Sequence, residues 1–101
     1  MTAQQREMIV GDFERYMRYI QSQNRAFTLA DFVTFATSLI NFYSGSQLID
    51  TAERKDTALI LSSSFNKGLG NRITEDDIGQ ISELIISDPT LDYSILSPIF
   101  A

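Results

Sequence analysis

The chain uses one short phrase twice, and this repeat constrains its fold more than any other feature. Residues 24–32 read Asn-Arg-Ala-Phe-Thr-Leu-Ala-Asp-Phe, and residues 71–78 return the phrase one residue shorter as Asn-Arg-Ile-Thr-Glu-Asp-Asp-Ile. In both copies a threonine stands three residues before an aspartate. Its hydroxyl can accept from the aspartate N–H while the carboxylate reaches back to the threonine N–H. The repeat therefore predicts helix starts at Thr28 and Thr74, but it names no activity.

Composition excludes several classes of protein. With 101 residues, of which 44% are hydrophobic, the chain can form one folded domain and is too apolar for a disordered tail. It has no cysteine and no histidine, so it lacks disulfides, thiolate metal sites and the usual general base near neutral pH. We therefore expect no metal, no cofactor and no enzymatic activity. Within the enzyme class, the alternative is a hydrolase that uses the serines at 62–64 or the acids at 75–77.

Charge is distributed unevenly along the chain. The net charge is −5, and residues 73–101 hold six acids and no base. Phosphate backbones and anionic membranes would repel such a protein, so nucleic acid and membranes are disfavoured as partners. The N-terminus has no signal-like apolar core, and the longest uncharged stretch, residues 32–49, is too polar to span a membrane. We therefore expect a cytoplasmic protein.

Apolar residues recur at helical spacing through most of the chain. The pattern predicts an all-α fold with four main helices, which cover about residues 3–20, 29–43, 47–65 and 74–87. Either Ser46 or Asp50 would cap the third helix, and Asp88-Pro89 would end the fourth. We expect residues 1–89 to form the helical domain. Residues 90–101 form an apolar tail with a last helical turn over 91–96 that Pro98 stops, and this tail packs on the domain or on a partner.

Two helix-loop-helix units with equivalent second-helix caps resemble a paired EF-hand domain. Residues 65–78 carry the better match, because Phe65 precedes the loop and Ile73 falls at its eighth, apolar position. In the same register Phe27 takes the eighth position of the first loop. The resemblance therefore implies that Phe27 and Ile73 pair across a short β-bridge.

Both loops depart from the calcium-binding pattern of that family. Calcium needs oxygen ligands at the first, third and fifth loop positions and a bidentate glutamate at the twelfth. In the second loop, Asn66 stands first, Gly68 and Gly70 take the third and fifth positions, and the shorter Asp77 stands twelfth. The first loop opens with Ile20. The resemblance thus implies a metal-free EF-hand-like scaffold over residues 5–87, and an orthogonal or up-down four-helix bundle is the alternative.

The second predicted helix is apolar on two flanks, which is more surface than one neighbouring helix can cover. We therefore interpret the chain as a protein-binding module, small adaptor or regulator that uses a hydrophobic groove, its C-terminal tail or both. Its partner is another protein, or a second copy in a homodimer. The candidate partner-binding residues are Phe35, Leu39, Phe42, Tyr43, Leu91, Tyr93, Ile95, Leu96, Ile99 and Phe100.

Two other functions fit parts of the pattern. The Thr-x-x-Asp-apolar phrase also opens helices in helix-turn-helix and winged-helix folds, which would make the chain a DNA-binding regulator. Alternatively, the acidic C-terminal third could inhibit a nucleic-acid-binding protein by mimicking phosphate charge.

Overall fold

A computed structural model describes residues 1–100 of the chain, which fold into five helices. Within this range there is no strand, so the predicted all-α class is confirmed. Ala101, the last residue of the predicted tail, lies outside the described residues. No helix in residues 1–100 combines the length and the apolar character needed to cross a membrane. The helices are α1 (Ala3–Ser22), α2 (Leu29–Gly45), α3 (Thr51–Gly68), α4 (Glu75–Ser87) and α5 (Tyr93–Phe100).

Both helix starts predicted from the repeat are present, but the two caps are not equivalent. Thr28 forms a complete capping box with Asp31, in which each side chain bonds the other residue's backbone N–H. The Thr74 hydroxyl accepts from the Asp77 N–H at 3.2 Å. However, no carboxylate among the described residues accepts from the Thr74 N–H. The first copy of the phrase therefore satisfies one more backbone donor than the second.

The start of α3 decides between the two caps that the sequence left open. Asp50 forms a capping box with Glu53, so the helix begins at Thr51 and not at the predicted residue 47. Gln47 has a φ of 61°, a left-handed backbone conformation that cannot belong to a right-handed helix. Ser46 instead ends α2 as its C-cap residue.

The core is built around α2, which packs against α3, α4 and α5. Two pairs of aromatic rings stack within it: Tyr16 on Phe35 with centroids 4.4 Å apart, and Phe32 on Phe65 at 4.6 Å. The backbone of α1 lies close to α3 and α5. Contacts between α1 and α2 thus depend on large rings that reach across, as in the stack of Tyr16 on Phe35.

The tail forms a helix that continues past its proline, so the predicted stop at Pro98 is wrong. Pro98 has no N–H to donate to the Ser94 carbonyl, and a proline at this position normally disrupts a helix. The Ser97 hydroxyl instead donates to that carbonyl at 3.2 Å, and α5 extends to Phe100. Leu96 and Ile99 are buried, and α5 packs on both α1 and α2.

The loop before α4 is organised by an asparagine side chain. The Asn66 amide accepts from the Ile73 N–H at 2.8 Å and donates to the Ile73 carbonyl at 3.1 Å. No β-bridge is formed anywhere in residues 1–100, so the bridge that the EF-hand resemblance implied between Phe27 and Ile73 is absent. Ile73 directs its backbone hydrogen bonds to its own unit, and Phe27 packs on the ring of Phe65 at 5.6 Å. The EF-hand-like pairing of the two units stays a prediction.

Candidate protein-binding site

The groove predicted along α2 is closed by α5. Half of the ten candidate residues are therefore not accessible to a partner in this structure. Each of the five is less than a tenth exposed, and they are Phe35, Leu39, Tyr43, Leu96 and Ile99. Their burial has a simple physical cause, since the apolar faces of α2 and α5 cover each other and Tyr16 of α1 stacks on Phe35.

Polar side chains of α2 hold the segment that leads into α5. The buried Ser38 hydroxyl accepts from the Asp92 N–H at 3.1 Å. The Asn41 amide donates to the carbonyls of Asp88 and Thr90 at 2.8 and 2.7 Å. The segment between α4 and α5 is not helical, so its backbone groups need other partners. These bonds provide them and hold the segment in place just before α5 begins.

Arg54 of α3 joins the hydrogen bonds that Asn41 makes. Its guanidinium donates to the Asn41 side-chain oxygen at 3.0 Å, to the Ser44 hydroxyl at 2.7 Å and to the Ile86 carbonyl at 3.1 Å. The Arg54 side chain thus connects α3 to α2 and α4. A guanidinium can do this because its several N–H donors point in fixed directions in one plane. The sequence around Arg54 gives no local signal of this role, because its partners lie ten or more positions away.

The candidate residues that stay at the surface form an aromatic patch of Phe42, Tyr93 and Phe100. Tyr93 is 64% exposed and Phe100 is 47% exposed, while Phe42 is partly buried between them. The Phe42 ring centroid lies 6.3 Å from that of Tyr93 and 5.0 Å from that of Phe100. The other two candidates, Leu91 and Ile95, are partly buried against the core. The aromatic patch is therefore the accessible remnant of the predicted site.

Two exposed carboxylates lie in the segment that leads into Tyr93. Hydrogen bonds from the Thr90 hydroxyl and N–H lower the pKa of Asp88, and those from the Ser94 hydroxyl and N–H lower the pKa of Asp92. Both carboxylates are exposed and therefore ionised at neutral pH. Asp92 directly precedes Tyr93 in the chain, and Asp88 lies four residues before Asp92; these two carboxylates are called the acidic rim.

One carboxylate lies inside the protein. Asp12 is only 1% exposed; one of its oxygens bonds Arg15, and the other has no partner among residues 1–100. Burial raises the pKa of Asp12 above 3.8, although the Arg15 charge opposes this shift. The unfolded chain therefore loses this proton at a lower pH than the folded chain does. Stability falls as the pH rises through that interval, and the loss is complete above the folded pKa.

The described residues offer no arrangement of side chains suited to holding a metal ion. No group of three or more acids in residues 1–100 converges on a common point. The three acids that begin α4, Glu75, Asp76 and Asp77, lie where negative side chains stabilise the positive end of the helix dipole.

Neither the protein-family models, nor the curated proteins, nor the solved structures contain a match to this chain.

Proposed function

We propose that this chain is a non-enzymatic protein-binding module, a small adaptor or regulator of the cytoplasm, whose contact surface is the aromatic patch of Phe42, Tyr93 and Phe100. The observation that carries the proposal is the exposure of Tyr93 and Phe100 on an eight-residue helix whose opposite side is buried. Aromatic side chains are enriched at protein interfaces, where each contributes a large apolar area at a small entropic cost.

Charge supports a basic partner segment. The acidic rim of Asp88 and Asp92 would attract lysine and arginine side chains and steer their approach. The aromatic rings would then pack against the apolar stems or faces of that segment. A second candidate rests on the same charge: the acids of α4 and of the segment between α4 and α5 favour contact with the basic surface of a nucleic-acid-binding protein, which the chain would inhibit.

The scaffold in this proposal is a metal-free pair of helix-loop-helix units, with α1 and α2 as one unit and α3 and α4 as the other. A threonine caps the second helix of each unit, which supports it. In this arrangement α5 acts as an added helix that completes the core and presents the aromatic patch.

The proposal is tested by a matched pair of double variants. Tyr93→Ser with Phe100→Ser removes the exposed rings, and Leu84→Ser with Leu48→Ser is the control, because these leucines are 62% and 44% exposed. Each protein is cross-linked to its partners in lysate of the source organism, and light scattering then gives the mass of the complex. We expect the wild type and the control to retain the same partner and the aromatic-patch variant to lose it. Equal retention by both variants would contradict the proposal.

A further inference from the structure

A carboxylate is held at the start of α5. Asp92 directly precedes the helix, and its Oδ1 atom accepts from the Ser94 N–H at 3.0 Å and from the Ser94 hydroxyl at 2.6 Å. These bonds place the carboxylate at the N-terminal end of α5. None of the ion pairs among residues 1–100 includes Asp92. The first turn of α5 thus carries an exposed negative charge that no cation of the described residues neutralises.

The next residue supplies an open aromatic face. Tyr93 is 64% exposed, and its ring stands at 89° to the Phe42 ring, with centroids 6.3 Å apart. A neighbouring ring at a right angle covers at most one face, so the other face of Tyr93 is free of Phe42. In a helix the Cα–Cβ bond tilts towards the N-terminus. The Tyr93 side chain therefore leaves the backbone towards the end of α5 at which the Asp92 carboxylate is held.

Both groups are fixed relative to α2. The Ser38 hydroxyl accepts from the Asp92 N–H at 3.1 Å, which ties the residue before α5 to α2. Phe42, which contacts the Tyr93 ring, is a partly buried residue of α2 whose own ring lies 5.7 Å from that of the buried Tyr43. A ligand that meets the carboxylate and the ring together therefore does not have to order a free tail, which lowers the entropic cost of binding.

Arginine is the side chain whose chemistry fits both groups. Its guanidinium is planar, so it can lie on an aromatic face while N–H donors at its edge reach a carboxylate. An ionised carboxylate has about four acceptor positions, and the two bonds from Ser94 leave room for such donors. The lysine ammonium is a compact and strongly hydrated charge that cannot stack in this way. A carboxylate beside an open ring face therefore favours arginine over lysine.

We propose that Tyr93 and Asp92 together bind an arginine side chain of a partner protein, with the guanidinium stacked on the Tyr93 ring and hydrogen-bonded to the Asp92 carboxylate. The inference rests on the proposed function and deepens it, because it names the side chain of the basic partner segment that meets the aromatic patch. A cation–π contact at an exposed site strengthens binding about two- to fivefold. This contact selects among basic segments, and the remaining affinity comes from apolar packing on Phe42 and Phe100.

Three capped tripeptides test the ligand chemistry. They place arginine, lysine or citrulline between two leucines, and citrulline is the uncharged planar isostere of arginine. The full-length protein is titrated with each peptide to tens of millimolar, and nuclear magnetic resonance follows the Tyr93 ring protons and the side-chain methylene protons of the peptide. We expect the arginine peptide to bind about twofold or more tighter than the lysine peptide, and the citrulline peptide to bind most weakly. Stacking on the ring should shift the arginine methylene protons upfield.

Four variants test the assigned residues. Tyr93→Phe keeps the ring, whereas Tyr93→Leu keeps an apolar side chain without one. Asp92→Asn removes the charge and keeps an oxygen that can accept from Ser94. Its control is Glu75→Gln, which changes the net charge equally at the exposed start of α4, about 18 Å along that helix from Ser87. We expect Tyr93→Phe and Glu75→Gln to bind the arginine peptide as the wild type does, and Tyr93→Leu and Asp92→Asn to lose its advantage over the lysine peptide.

Three results would overturn the inference: equal binding of the arginine and lysine peptides by the wild type, an arginine preference that survives in Tyr93→Leu or Asp92→Asn, or no shift of the Tyr93 ring protons with the arginine peptide. Thermal melting of each variant establishes that it is folded. These failures are separate from a failure of the proposed function, which is judged by capture of a partner from lysate through Tyr93 and Phe100. A basic partner held equally well through lysine would refute the inference and leave the proposed function standing.

Discussion

Replacing Leu96 by alanine tests whether α5 is part of the core. The Leu96 side chain is 1% exposed and packs in the main hydrophobic cluster. Removing a buried leucine side chain costs about 2–5 kcal/mol, because the transfer energy of the lost atoms adds to the cost of the cavity. For a domain near this size, about 3 kcal/mol lowers the melting temperature by about 12 °C or more. That is a large part of the total stability of about 5–15 kcal/mol that small domains possess.

Leu84→Ala is the matched control for this substitution. It makes the same chemical change at a helix surface, where the leucine is 62% exposed. The difference in helix propensity between leucine and alanine therefore cancels when the two variants are compared. We expect Leu84→Ala to change the free energy of unfolding by no more than about 0.5 kcal/mol.

Urea denaturation followed by circular dichroism measures both free energies of unfolding. The two variants should share the wild-type dependence on urea and differ in their midpoints. If Leu96→Ala unfolds at the wild-type midpoint, α5 does not belong to the cooperative unit. The closed groove described above would then not represent the protein in solution.

Three further predictions concern the buried acid, the helix caps and the loop before α4. Asp12→Asn removes a carboxylate whose pKa is raised by burial, so between about pH 4 and about pH 7 the stability of the wild type should fall relative to that of the variant. Urea midpoints at the two pH values check this, and a constant difference would contradict it. Thr28→Ala should cost about 1–2 kcal/mol and Thr74→Ala less than that, because the Thr28 hydroxyl also donates to the Asp31 carboxylate. Melting curves compare the two, and equal losses would mean that this hydroxyl–carboxylate bond contributes nothing. Calcium should leave the melting temperature unchanged, since the Asn66 side chain is already bonded to Ile73 and the loop lacks a bidentate glutamate. A rise of several degrees would show that the loop rearranges to bind the ion.

Helix starts were predictable because a cap and its partner lie within one helical turn. Thr28 and Thr74 both begin helices as predicted, and each can be identified from four consecutive residues. The end of α4 was also predictable from neighbouring residues. Asp88 precedes a proline and therefore has a non-helical backbone conformation. The length of α5 was not predictable in this way. Pro98 has no N–H to donate to the Ser94 carbonyl, and in the structure the Ser97 hydroxyl donates to it instead.

The candidate site was only partly predictable because burial depends on contacts between distant residues. Sequence periodicity marks Phe35 and Tyr93 equally as apolar, yet the first is fully buried and the second mostly exposed. Phe35 is stacked on Tyr16 of α1, whereas Tyr93 follows the segment that Ser38 and Asn41 hold through bonds that span about fifty positions of sequence. No local pattern reports such bonds.

The packing of α1 has a consequence for how fast the protein folds. Its backbone approaches α3 and α5, not the helix that follows it in the chain. Long loops must therefore close before α1 can pack on α3 and α5. The chain loses the entropy of these loops before the new contacts stabilise it. We expect slower folding than in helical bundles whose successive helices pack side by side, with α1 docking in the last kinetic step.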